Sequence, residues 1–84
     1  MKNKNTAENP RKNNYFVSIV TLNDAGKITY DNIVFTSKNS EECFKFATNN
    51  YTRSVTTAVK KYSEMIALGV DPKKLTEFKN PVLY

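Results

Sequence analysis

The sequence predicts an α+β domain in which one antiparallel β-hairpin packs on helices. Three observations carry this. Two runs rich in β-branched and aromatic residues, YFVSIVTL and ITYDNIVFT, lie on either side of a short turn-forming segment. Apolar residues then recur at steps of three and four from Cys43 onward, the mark of a helix with one buried face. Finally, Asp71-Pro72 sets an N-cap residue before a proline suited to a first helical turn.

The strands are expected over about 15–22 and 28–36. Between them, Asp24, Ala25 and Gly26 suit a three-residue loop, with Gly26 in the left-handed conformation. That loop sets a register in which Leu22 faces Ile28, Val20 faces Tyr30 and Phe16 faces Val34. On the other face Val17 meets Ile33, and Tyr15 meets Phe35. Ser37 to Ser40 breaks the strand pattern. Asn39 with Glu42 three residues later reads as a capping box.

The stripe that follows is Cys43, Phe44, Ala47, Tyr51, Val55, Ala58, Val59, Tyr62, Met65 and Ile66, and Gly69 ends it. One helix over about 40–68 is roughly 43 Å long at ~1.5 Å per residue, which is long for a small domain. Asn49-Asn50 and the threonines from Thr52 to Thr57 are weak helix formers, so the helix is expected to be long or broken near Asn49 to Thr52. A third strand around Arg53 to Val59 is the less favoured alternative. A short helix over about 72–78 follows, giving the order β-β-α-(α)-α.

The 84 residues allow one small domain. Residues 1–14 hold almost nothing apolar and carry a net charge of +3 from Lys2, Lys4, Arg11 and Lys12 against Glu8. They are expected to be a disordered basic arm preceding a single domain over 15–84. The remaining residues carry only +2 of the total +5. No apolar run reaches the ~18 residues of a membrane span, and no hydrophobic segment follows the basic start. One cysteine allows no intrachain disulfide. An intracellular, cytoplasmic location is expected.

The composition argues against catalysis. There is no histidine, and hence neither the commonest general base nor the commonest transition-metal ligand. One cysteine cannot build a zinc site of the usual kind, and no glycine-rich phosphate loop exists. No cofactor is expected. Cys43 lies on the apolar stripe and is read as a buried structural residue.

Both faces of the hairpin are apolar, although an antiparallel sheet on helices usually keeps one face wet. Something must cover the second face, and two strands alone leave both edges open. A second copy of the chain or another protein is therefore expected to dock, with Phe16, Tyr30, Ile33 and Phe35 as hairpin anchors. The favoured function is a small protein-binding modulator or inhibitor. The alternative is a DNA- or RNA-binding protein using Lys2, Lys4, Arg11, Lys12, Arg53, Lys60 and Lys61. A further alternative is a self-assembling subunit. In size and composition over the whole chain, with its eleven asparagines, the sequence resembles the short Asn- and Lys-rich proteins of bacteriophages and mobile elements. Many of those bind a host enzyme, a defence complex or RNA polymerase. No motif carries the resemblance, so it assigns no residue a role.

Overall fold

The computed structural model of the chain describes residues 11–51 and 55–80. Among the described residues six elements follow one another: β1 (Tyr15–Leu22), β2 (Ile28–Ser37), α1 (Ser40–Asn50), β3 (Thr57–Lys61), α2 (Tyr62–Ala67) and α3 (Pro72–Glu77). The α+β class and the hairpin packed on a helix are as the sequence indicates. The sheet, however, has three antiparallel strands in the order β2-β1-β3.

Local chemistry sets the loop and two of the helix starts. Gly26 takes φ +79°, a conformation that side-chain-bearing residues avoid. The Asn23 carboxamide oxygen accepts from the N–H groups of Ala25 and Lys27, which ties the loop shut. Asn39 caps α1 through the Glu41 N–H at 2.9 Å, and Asp71 caps α3 through the Lys73 N–H at 2.9 Å. The box expected between Asn39 and Glu42 closes through an intermediary instead. Asn39 N–H donates to the Ser37 hydroxyl, which donates to the Glu42 carboxylate.

Tyr51 and residues 55–61 depart from the expected helix. α1 stops at Asn50, and Thr57–Lys61 forms a strand beside β1, pairing Val17 with Val59 and Tyr15 with Lys61. The physical reason is the density of β-branched residues, which lose side-chain freedom in a helix and fit a pleated surface. The row of hydrogen bonds that β1 offers along its free edge completes the choice. Helix resumes only at Tyr62, where the Glu64 carboxylate accepts the N–H of Lys61 at 3.0 Å. Consequently Lys60 and Lys61 do not lie on a helix face. Lys60 and Lys61 are adjacent strand residues pointing to opposite sides of the sheet, and Arg53 lies outside the described residues.

The hairpin register begins as expected, with Leu22 opposite Ile28, and then slips twice. Register shifts between Ile19 and Thr21 and between Val17 and Ser18 each put one extra residue into β2, so that Phe16 meets Thr36 and Val17 meets Phe35. Each bulge turns the following β2 side chains over. Ile33 therefore joins Tyr30 on the Phe16 side, while Val34 and Phe35 join Val17.

Both sheet faces are covered from within the chain. On one, Phe16 packs with Met65, Val70 and Leu75 from α2, α3 and their connection. On the other, Val17 packs with Cys43 and Ala47 of α1. Residues 11–14, expected in the arm, belong to the fold. Arg11 donates to the Leu75 carbonyl, and the Asn14 carbonyl accepts from Tyr62 N–H. Lys2 and Lys4 lie outside the described residues.

Candidate partner-binding edge

The hydrogen-bond phase of the sheet determines which backbone groups of β3 face outward. Val20 N–H donates to the Thr56 carbonyl and Tyr62 N–H to the Asn14 carbonyl. In an antiparallel pair, bonded positions recur every second residue. Residues 56, 58, 60 and 62 therefore turn their N–H and C=O groups toward β1. Thr57, Val59 and Lys61 turn theirs to the free edge. The Lys61 N–H is taken by Glu64. The outward groups of Thr57 and Val59 meet no partner among the described residues.

Beside this edge runs a groove of about 440 Å³ lined by Phe44, Ala47, Thr48, Tyr51, Val55, Thr57 and Val59. It exists because α1 sits off-centre over the sheet. Cys43 and Ala47 face the core, and Phe46 leans toward β2, stacking on Phe35 with ring centroids 4.4 Å apart. Phe44 then projects toward β3 with 58% of its surface exposed.

At the Lys61 end the groove gives way to a polar pocket of about 280 Å³ formed by Lys12, Asn13, Asn14, Tyr15, Lys61 and Ser63. Asn14 is nearly buried there, and its amide donates to the Thr36 hydroxyl at 3.0 Å. That hydroxyl donates in turn to the Tyr15 carbonyl, which fixes the carboxamide orientation. The Asn14 Oδ1 is left without a donor among the described residues.

The opposite edge of the sheet is clamped at Thr36. Asn80 holds Thr36 at both backbone groups, accepting its N–H at 2.8 Å and donating to its C=O at 2.9 Å. The two bulges interrupt the rest of β2, and Asp31 meets Lys74 of α3 at 4.0 Å. Such devices keep an edge from pairing with another chain.

The residues singled out from sequence fall differently. Phe16 is fully buried and serves the core, so the folded chain does not present it to a partner. Tyr30 and Ile33 are half-buried against that same core, and Phe35 lies under Phe46. Among the basic residues, Lys12 and Lys61 meet at the polar pocket. Arg11 is engaged with Leu75, and Lys60 sits on the far face of the sheet, opposite Phe16. Phe44, Tyr51, Val55 and Val59 were visible as an apolar stripe but read as the face of a long or broken helix. The threonine-rich, β-branched run before Val59 was the signal for an edge strand.

Burial holds the Cys43 thiol in its neutral form and pushes its pKa up to about 11. Among the described residues no three His, Cys, Asp or Glu side chains cluster as metal ligands, and no helix is long and apolar enough to cross a membrane. The chain matches no known protein family, curated protein or solved structure.

Proposed function

We propose that this chain is a protein-binding module that accepts an extended segment of another protein as a fourth strand on the outer edge of β3. One observation carries the reading. Two consecutive outward positions, Thr57 and Val59, offer unpaired backbone donors and acceptors beside an apolar groove that contains an exposed phenylalanine. Strand addition draws affinity from main-chain hydrogen bonds and specificity from alternate side chains, and this edge supplies both. The covered second face removes one of the two reasons for expecting a second copy, since α1 packs on one side and α2 with α3 on the other, and leaves the open edge as the other.

The test compares three forms of the full chain as bait in nuclease-treated extracts, at low and high salt. Thr57→Pro removes an N–H that points away from β1 at the first position of a strand, where proline is tolerated. It is expected to abolish capture while leaving the circular dichroism and melting temperature close to those of the wild type. Leu22→Ser changes a residue that is 69% exposed at the hairpin end, and is expected to change nothing. Capture that survives Thr57→Pro and is lost with Leu22→Ser would move the interface to the hairpin tip and refute the reading.

A further inference from the structure

The edge also carries information about the chemistry of its partner. Thr57, Val59 and Lys61 alternate along one strand and point to the α1 side of the sheet. Thr57 and Val59 line the apolar groove, whereas Lys61 lines the polar pocket. Groove and pocket are thus successive stations beneath a single incoming strand, about 7 Å apart per two residues. The pocket brings Lys12 and Lys61 together. Neither is in an ion pair among the described residues. Glu64, the nearest acidic residue in sequence to Lys61, accepts that residue's backbone N–H.

Resting on the strand-addition reading, we infer that the partner segment is acidic at the end that reaches Lys61 and apolar where it lies beside Phe44. A carboxylate side chain seated between Lys12 and Lys61 gains charge-assisted contacts from two ammonium groups. All pairings in the sheet are antiparallel. A fourth strand continuing that pattern runs opposite to β3, so its earlier residues lie at Lys61 and its later ones at Thr57. Read from its N-terminus, the segment has the form acidic-x-apolar-x-apolar.

The experiment selects random displayed nonapeptides on the immobilised full chain. Wild type, Thr57→Pro and the double variant Lys12→Glu/Lys61→Glu are used in parallel, each first checked for a native circular dichroism spectrum. Wild type is expected to enrich the acidic-x-apolar-x-apolar pattern. The double variant is expected to keep the apolar alternation, to exchange the acidic residue for a basic one, and to weaken the wild-type peptide by roughly ten-fold or more. Alternating apolar peptides without a charge preference, or an unchanged selection on the double variant, would overturn the acidic assignment and leave strand addition standing. Failure to enrich any alternating peptide, or equal enrichment on Thr57→Pro, would overturn strand addition itself. A fluorescent single-stranded oligonucleotide provides the last arm. If it competes with the selected peptide, and is released by the lysine substitutions but not by Thr57→Pro, the pocket serves phosphate and the inference falls.

Discussion

Replacing Asn80 with alanine tests how the sheet is closed on its β2 side. Asn80 lies beyond the last helix, yet its carboxamide behaves as a one-residue strand. Its oxygen accepts the Thr36 N–H at 2.8 Å and its nitrogen donates to the Thr36 carbonyl at 2.9 Å. Thr36 is 6% exposed, so water replaces these bonds poorly. Each is worth about 0.5–1.5 kcal/mol net, and the pair about 2 kcal/mol. For a domain of this size 1 kcal/mol moves the midpoint by roughly 4–8 °C. Asn80→Ala is thus expected to lower the melting temperature by roughly 8–16 °C, measured by circular dichroism. Asn80→Asp separates geometry from composition. Its carboxylate can still accept from Thr36 N–H but sets a second oxygen against the Thr36 carbonyl, so it recovers at most part of the loss. A midpoint within about 1 °C of wild type for Asn80→Ala, or full recovery by Asn80→Asp, would refute the clamp; the 1 °C bound lies well below the shift expected from two bonds.

Amide hydrogen exchange reads the phase of β3 directly. The Ala58 and Lys60 amides, bonded to β1, are expected to exchange more slowly than those of Thr57 and Val59. Equal protection of all four would mean that the edge is paired or the register shifted. Cys43 links stability to pH. Desolvation raises its thiol pKa from 9.0 to about 11, opposed by a backbone hydrogen bond from Ser37 and assisted by the charge of Glu42. The folded chain holds this proton more tightly than the unfolded one. The contribution is therefore complete below pH 9 and is lost as the pH rises toward 11. Urea melts between pH 7 and pH 10.5 are expected to show wild type losing more stability than Cys43→Ala, a pH range chosen to span that window. Parallel losses in the two proteins would show that Cys43 contributes nothing to the pH dependence.

What the sequence discloses is what neighbouring residues decide among themselves. Asn39 and Asp71 accept from backbone N–H groups two residues away, Pro72 brings a φ already suited to a first helical turn, and Gly26 needs only its own φ. The first strand was bounded correctly because its apolar density is high throughout. The strand from Thr57 to Lys61 was obscured because five residues hold too few alternations to outweigh a helical period that continues to Met65. Its choice depends on a hydrogen-bond row supplied by β1, some forty positions earlier. The bulges are a related case. The loop fixes the register only at Leu22 and Ile28, and nothing local reports that β2 takes in two extra residues before Thr36. That slip is why Ile33 and Phe35, expected on one face, serve different cores. The candidate site inherits these difficulties. Phe44 was visible as apolar, but its exposure follows from the helix ending at Asn50 and lying off-centre over the sheet.

The unequal treatment of the two edges limits what this sheet can assemble. A chain with both edges open can propagate, each copy accepting a strand on one side and offering one on the other. Here β2 is interrupted by two bulges and clamped at Thr36 by Asn80. Lys74 stands over Asp31 on the same side, a weak ion pair but an effective charge on an edge. Neither a bulge nor a side-chain clamp interrupts β3, and Glu64 limits its free run to Thr57 and Val59 by occupying the next N–H. Two positions are enough for a short strand held largely by the groove, and too few for a long one. Two copies pairing through β3 would close as a two-fold dimer whose outer edges are the bulged β2 strands, each clamped at Thr36. On the strand-addition proposal, the exposed surface beside Phe44 serves recognition, while the bulges and the Thr36 clamp on β2 disfavour the open-ended association that a flat, two-edged sheet invites.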